Sequence, residues 1–286
     1  MFDHGPPSEM NREEFRLLAE LIHEHCGILF REETKYLLER RLHPRVKANG
    51  LEGYAAYYRY LRFDPGRKAE LDTAIEALTT NETYFFREPQ QLKAFSEELL
   101  PMLERELRKR RRLRIWSAGC STGEEPYTVA MLLKGSGLFE DWDVDVFGSD
   151  ISRRVLAAAR KGVYSQSALR QTPTQMLSRY FSVEAGKYTV KPEIRSIVTF
   201  GHLNLIDEAM LHLVGRVDVV LCRNVMIYFD LGARQRVLKS FHAKLAEGGY
   251  LLLGHSESLI NVTADFELVH LKNDLVYRKP KPVTAP

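Results

Sequence analysis

The sequence predicts an all-α N-terminal domain over residues 1–78, a linker over residues 79–91 and an α/β domain over residues 92–286. Three observations lead to this fold class. Apolar residues recur at helical spacing through the first part of the chain. From residue 113 onwards, short apolar runs alternate with helical patterns, as in a doubly wound, Rossmann-like sheet. With 286 residues, of which 44% are hydrophobic, the chain can form two cores.

Charge and cysteine usage limit the partners, metal sites and cellular locations to be expected. The formal net charge is only +3, so the overall charge does not call for a nucleic acid, and we predict none as a partner. Cys26, Cys120 and Cys222 are odd in number and far apart, which argues against a disulfide framework and against a metal site. This pattern fits a cytoplasmic location. The sequence contains no apolar signal core and no run long enough for membrane insertion.

Four helices are predicted in the N-terminal domain. Asn11 and Glu14 form a helix-start pattern, and Gly27 follows the last apolar position of that helix. The second helix is expected to be interrupted at Pro44, because proline removes a backbone hydrogen bond. The apolar spacing predicts helices at residues 11–27, 35–48, 54–61 and 71–78.

The second helix carries a basic group near its C-terminus, made of Arg40, Arg41, Arg45 and Lys47. The helix dipole favours cations there, which is a purely structural explanation. The same group also suits the surface of an acidic partner. The residues alone leave both interpretations open.

The linker has no clean amphipathic period. Short hydrogen-bonding side chains, Asn81 and Thr83 among them, precede Phe85 and Phe86, and Arg87 follows. Polar groups beside an aromatic anchor favour the wall of a binding site. A capped turn between helices would use the same residue types, so this alternative also stays open.

The α/β domain opens with a strand that ends at a small-residue turn containing Gly119 and Gly123. Such a turn lets the backbone approach a nucleoside-containing cofactor closely. A phosphate-binding turn would avoid acids, but this one continues into Glu124 and Glu125. Carboxylates suit a cation, so the turn favours S-adenosylmethionine, which has a sulfonium and no phosphate. A plain turn with solvated glutamates is the alternative.

Polar residues follow several later strands of the predicted sheet. The strand over 144–150 ends in Asp150, which is suitably placed to accept ribose hydroxyls, and Asn204, Arg223 and Asn224 follow further strands. Ligands of such sheets bind beyond the carboxyl ends of the strands. Residues 163–196 break the alternation and predict an inserted β-subdomain, and residues 266–277 predict a closing antiparallel hairpin.

Five motifs, in this order along the chain, resemble the CheR family of S-adenosylmethionine-dependent protein-glutamate methyltransferases, which modify chemotaxis receptors. They are TTNETYFFR at 79–87, WSAGCSTGEEPY at 116–127, SD at 149–150, CRNVMIYFD at 222–230 and GHSE at 254–257. The resemblance implies a helical N-terminal domain, a linker and a methyltransferase domain that carries a β-subdomain.

The resemblance also implies a site for S-adenosylmethionine, with S-adenosylhomocysteine as the product. Together with the glycine turn, it gives these cofactor-contacting residues: Asn81, Thr83, Arg87, Gly119, Glu125, Asp150, Asn204, Leu205, Cys222, Arg223 and Asn224. Glu125 is preferred to Glu124 as the acid after the turn. Arg87 and Tyr228 are expected nearest the transferred methyl group. A glutamate substrate is already ionised at neutral pH, so the reaction needs orientation rather than a general base.

The partner implied by the resemblance is the cytoplasmic helical region of methyl-accepting receptors, met by Arg40, Arg41 and Arg45. Some family members also dock a receptor's tethering peptide on the β-subdomain. The corresponding stretch at 182–190 looks shorter here, so we expect no strong peptide docking. Two rival functions remain: a methyltransferase on RNA or a small molecule, with the basic run at 108–112 as the RNA contact, and a non-catalytic cofactor-binding signalling module.

Overall fold

The computed structural model describes residues 9–282. The chain divides into two compact units. The first contains the residues up to Thr80 together with Tyr228–Ala233, and the second contains Asn81–Ile227 and the residues from Arg234 onwards.

The first unit is all-α. Asn11 caps its first helix, and the reciprocal bond between Asn11 and Glu14 completes the predicted capping box. Gly27 ends that helix with a φ of 74°, a left-handed conformation that favours glycine. The four helices are α1 (Arg12–Cys26), α2 (Lys35–Ala48), α3 (Tyr54–Phe63) and α4 (Arg67–Leu78).

Helix α2 passes through Pro44 without a break, so the predicted interruption was wrong. Leu38, Leu42 and Val46 are fully buried along one face of this helix. Their packing holds the helix together across the hydrogen bond that Pro44 cannot make.

A buried carboxylate links two helices to a third within the first unit. Glu70, which is 7% exposed, accepts hydrogen bonds from Arg45 Nε at 3.0 Å and from the Tyr57 hydroxyl at 2.7 Å. Burial acts to raise the pKa of Glu70, but the bonds from Arg45 and Tyr57 outweigh it and hold the pKa below its usual value. Arg45 therefore has a structural role in the first unit.

We expect Glu70→Gln to lower the free energy of unfolding by about 1–3 kcal/mol at neutral pH, because Arg45 and Tyr57 lose a charged partner. The depressed pKa means that this stabilisation is present above the unfolded pKa of about 4.3 and is lost as the pH falls through the native pKa. Urea unfolding from neutral to acidic pH measures both effects. Glu24→Gln, which breaks the exposed Glu24–Arg62 pair, is the matched control and should change little. Equal stability of both variants would contradict the prediction.

The second unit contains a seven-stranded sheet in the order β6-β2-β1-β7-β8-β10-β9. The first five strands are parallel, and β10 pairs antiparallel with both β8 and β9. This confirms the predicted Rossmann-like sheet with a terminal hairpin. The strands are β1 (Arg112–Ala118), β2 (Asp143–Asp150), β6 (Val198–His202), β7 (Val217–Cys222), β8 (Leu245–Leu253), β9 (Glu267–His270) and β10 (Leu275–Arg278).

Helices flank this sheet. A small second sheet is formed by residues inserted in the chain between β2 and β6. Residues 163–196 form three short strands in the order β3-β5-β4, namely β3 (Val163–Tyr164), β4 (Phe181–Glu184) and β5 (Lys187–Val190). The helices of the unit are α5 (Pro89–Ala94), α6 (Leu100–Leu107), α7 (Glu124–Ser136), α8 (Arg153–Lys161), α9 (Thr174–Tyr180), α10 (Pro192–Arg195), α11 (Glu208–Leu211) and α12 (Leu231–Lys244). Residues 231–233 of α12 group with the first unit.

Between residues 9 and 282, no helix combines the length and the apolar character needed to cross a bilayer. The same residues contain no group of three or more His, Cys, Asp or Glu side chains suited to a metal ion.

Candidate cofactor site

The turn after β1 brings the backbone close to two neighbouring strand ends. The amides of Gly119 and Cys120 both donate to the Ser149 carbonyl, at 2.8 and 2.9 Å. Gly119 has a φ of 80°, and a Cβ there would lie 2.5 Å from Val225 Cγ2. Glycine is therefore required both by the conformation and by the close approach of the turn after β7.

Asp150 is fixed at the carboxyl end of β2. It is 8% exposed, and its two oxygens accept the backbone N–H groups of Ser121 at 2.8 Å and Ser152 at 2.9 Å. Burial raises the pKa of Asp150, and the backbone hydrogen bonds partly offset that effect. A carboxylate accepts about four hydrogen bonds, so capacity remains for a ligand hydroxyl.

The two acids after the turn have different environments. Glu124 is 3% exposed, and both of its oxygens accept the Thr122 hydroxyl at 2.9 and 2.7 Å. Burial raises the pKa of Glu124. Glu125 instead accepts the Ser117 hydroxyl at 2.7 Å and Arg223 Nη1 at 3.0 Å. Glu125 is thus the acid joined to the polar groups at the strand ends.

Arg223 lies between two carboxylates. Its side chain is 3% exposed; Nη1 binds Glu125, and Nη2 binds Glu88 Oε2 at 3.0 Å and the Arg87 carbonyl at 2.7 Å. Arg223 therefore brings one positive charge to the two carboxylates that it binds. Nε of Arg223 is buried and has no hydrogen-bond partner within residues 9–282.

Sequence reasoning missed Glu88. Its Oε1 accepts Asn224 Nδ2 at 3.3 Å, which joins the linker to the turn after β7. Burial acts to raise the pKa of Glu88, but Arg223 and Asn224 outweigh it, so the pKa lies below its usual value. No spacing pattern points to this residue. The available signal was its position directly after Arg87, the last residue of the motif at 79–87.

A second carboxylate holds the turn after β7. Glu257 accepts four backbone N–H groups, those of Asn224, Val225, Met226 and Gly254, at 2.7–3.0 Å. Asn224 has a φ of 59°, and consecutive amides around such a residue form a concave anion-binding arrangement. The GHSE motif therefore supplies the anion that fixes the Arg223–Asn224 turn, which follows the fully buried Cys222.

The linker runs beside the glycine turn. The carbonyl of Asn81 accepts the Ser121 hydroxyl at 3.3 Å, and the Phe86 amide donates to the Thr128 hydroxyl at 3.3 Å. Thr83 is half-buried. Arg87 is also half-buried and donates to the Glu82 carbonyl at 2.9 Å. These bonds bring the predicted linker residues to the same edge of the sheet as Asp150.

The remaining predicted residues fall in two places. Asn204 and Leu205 are buried. They follow Leu203 in the chain, whose amide donates to the Asp150 carbonyl at 3.0 Å. Tyr228 belongs to the first unit, where its carbonyl accepts the Leu29 amide at 2.9 Å.

A doubly wound sheet with polar and acidic side chains in its strand-end turns is the architecture of nucleoside-cofactor enzymes. Family models identify the class further. Residues 13–79 match the all-alpha domain of CheR methyltransferases, and residues 81–275 match their SAM binding domain. The chain belongs to the CheR methyltransferase family, and its cofactor is S-adenosylmethionine, as predicted.

Curated relatives agree with this assignment over nearly the whole chain. Chemotaxis protein methyltransferase 2 of Vibrio cholerae serotype O1 is 36% identical over 93% of this chain and 93% of its own length. Chemotaxis protein methyltransferase 2 of Pseudomonas aeruginosa is 38% identical over 88% and 89% of the two chains. The Salmonella typhimurium chemotaxis protein methyltransferase is 36% identical over 89% and 86%.

Proposed function

We propose that the protein transfers a methyl group from S-adenosylmethionine to glutamate side chains of methyl-accepting chemotaxis receptors and so forms glutamate methyl esters for sensory adaptation. The observation that carries this proposal is the match to both CheR domains, supported by the intact acid edge around Asp150 and Glu125. An enzyme with this substrate would act in the cytoplasm, where the receptors' signalling helices lie.

The residues at the strand ends fit the cofactor by their chemistry. Asp150 would accept the ribose hydroxyls, and Asn204 and Leu205 would flank the adenine. Glu125 would face the ammonium group, whose charge is opposite to its own. The buried Nε of Arg223 would donate to the cofactor's carboxylate, which supplies the partner that this donor otherwise lacks. Asn81, Thr83, Gly119, Cys222 and Asn224 would complete the wall.

The bound cofactor supplies an electrophilic methyl group on a positively charged sulfur. The protein's task is to hold a glutamate carboxylate in line with it. Arg87 would steer that carboxylate, since a guanidinium has five donors and the Glu82 carbonyl occupies only part of them. Tyr228 would help to position the carboxylate or the methyl group. Because the substrate is ionised at neutral pH, no protein group needs to remove a proton.

The receptor would meet the basic end of α2. Arg40 is exposed, whereas Arg41 donates to the Leu78 carbonyl and to the Thr80 hydroxyl, and Arg45 pairs with Glu70. We therefore assign the direct receptor contact chiefly to Arg40, with Arg41 and Arg45 shaping the surface.

We expect Arg40→Ala to raise the KM for receptor about three- to tenfold, because one cation of the docking surface is lost. The melting temperature should stay unchanged. Arg45→Ala is the informative contrast, since it removes the partner of buried Glu70 and should lower the melting temperature. Steady-state methylation with receptor-rich membranes and thermal denaturation measure both. An unchanged receptor KM in Arg40→Ala would remove this residue from the docking surface.

The inserted hairpin has no long loop on which a tethering peptide could dock. Strands β4 and β5 are joined by Ala185 and Gly186 alone, both with positive φ. We propose that no such peptide binds tightly here, and calorimetric titration of a receptor C-terminal peptide would overturn this with a sub-micromolar affinity.

The basic run at 108–112 gives little support to an RNA substrate. Arg108, Arg110, Arg111 and Arg112 pair with Glu104, Asp218, Asp141 and Asp143. Guanidinium groups engaged in this way are less available to phosphates. Tritiated methyl transfer to receptor-rich membranes decides among the functions: base-labile counts indicate a glutamyl ester, whereas base-stable counts on RNA, or no transfer, would reject the proposal.

A further inference from the structure

The segment of the linker that precedes Arg87 is held by the inserted β-subdomain. The Phe85 amide donates to the Ala168 carbonyl at 2.9 Å. The Phe85 ring packs edge-on against Tyr164 and Phe181, with centroid distances of 4.7 and 5.1 Å. The insert thus buries the aromatic anchor of the linker.

The insert also holds the glycine turn. The Tyr164 hydroxyl donates to the Thr122 carbonyl at 2.7 Å, while its ring contacts Phe85. A side chain of the insert therefore contacts both walls of the candidate cofactor site, namely the linker and the turn after β1.

Arg170 extends this contact to the exposed part of the linker. Its guanidinium carbon lies 3.6 Å from the centroid of the Tyr84 ring, and its Nη2 lies 3.5 Å from Glu82 Oε1. The ion pair is largely exposed, at 45% and 73%, so it contributes little. The guanidinium lies close over the ring, well within the 6 Å at which a cation is attracted to an aromatic face, so Tyr84 is the closer tie between Arg170 and the linker.

Arg87 depends on the same two residues. Its Nη1 donates to the Glu82 carbonyl at 2.9 Å, and its guanidinium carbon lies 5.8 Å from the Tyr84 centroid. Any movement of Glu82 and Tyr84 would move Arg87, and a displacement of about 1 Å of an orienting group can cost two orders of magnitude in rate.

We infer that Arg170 is a positioning residue for methyl transfer: through Tyr84 and Glu82 it fixes the linker that carries Arg87. This inference rests on the proposed function, and it gives the inserted subdomain a role within the chain that does not depend on a tethering peptide.

The test compares Arg170→Gln with Arg179→Gln. Arg179 also stacks on a tyrosine of the insert, Tyr180, at 5.1 Å, but it lies on α9, outside the contacts with the linker. Arg170→Gln should lower kcat/KM for S-adenosylmethionine about three- to fivefold and raise the Kd for S-adenosylhomocysteine, with little change in melting temperature. Arg179→Gln should leave both constants within twofold of the wild type. Arg170→Lys, which keeps a cation over the ring, should recover part of the loss.

Wild-type constants in Arg170→Gln, or an equal loss in Arg179→Gln, would overturn the inference. A wild-type protein that binds S-adenosylhomocysteine but transfers no base-labile methyl group would instead reject the proposed substrate. In that case the calorimetric Kd of the Arg170 variants still decides whether the insert positions the linker.

Discussion

Arg223→Gln should abolish most methyl transfer, with a loss of at least roughly a hundredfold in kcat, and should lower the free energy of unfolding by about 3–5 kcal/mol. The substitution removes the cation that Glu88 and Glu125 share, so two half-buried carboxylates lose their common positive partner. The linker also loses its bond from Nη2 to the Arg87 carbonyl. Urea denaturation and the tritiated methyl assay measure the two effects.

A second substitution separates charge from shape. Glu88→Gln, added to Arg223→Gln, removes one uncompensated charge and should recover part of the lost stability without restoring activity. Arg216→Gln breaks an exposed pair with Glu247 and should behave as wild type in both assays. Undiminished stability of the Arg223→Gln single variant would show that the two carboxylates do not depend on the shared guanidinium.

Asp150→Asn is expected to raise the Kd for S-adenosylhomocysteine about thirtyfold or more, which corresponds to roughly 2 kcal/mol. The amide nitrogen of the new side chain would face a backbone N–H of Ser121 or Ser152, so donor would oppose donor where the carboxylate now accepts both. The ribose hydroxyls would lose a charged acceptor at the same time. Isothermal titration calorimetry measures the change.

The matched control lies on the same strand. Asp143→Asn changes an exposed carboxylate at the start of β2, where it pairs with Arg114, and should leave the affinity unaltered. Burial raises the pKa of Asp150, so this carboxylate takes up a proton at a higher pH than an exposed aspartate does. As the solution is acidified, the affinity of the wild-type protein for S-adenosylhomocysteine should therefore begin to fall at that higher pH. An Asp150→Asn protein with wild-type affinity would remove this residue from the cofactor site.

Local patterns in the sequence predicted the parts of the fold that depend on neighbouring residues. The capping box at Asn11, the apolar strands and the closing hairpin all follow from spacings of a few residues, and each lies where it was expected. The carboxyl ends of parallel strands meet at one edge of the sheet, and the prediction on this basis that Gly119 and Asp150 lie near each other agrees with the bond from Gly119 to Ser149.

Pairings between distant residues could not be predicted in this way. Glu88 and Arg223 are 135 residues apart, and Arg45 and Glu70 are 25 apart, so no periodicity links either pair. The basic group on α2 consequently looked like a single surface, although Arg45 is engaged by a buried acid. The continuity of α2 through Pro44 has the same origin, since tertiary packing overrides a local preference.

The short stretch Tyr228–Ala233 groups with the N-terminal helices although it is encoded far downstream of them. It contributes the isolated bridge between Ile28 and Phe229, and the first unit is incomplete without it. Chimeras that exchange the helical part between related enzymes must therefore transplant two separate pieces of the gene. With a single junction at residue 80, residue 28 would come from one enzyme and residue 229 from the other. The bridge would then join two segments that did not evolve together.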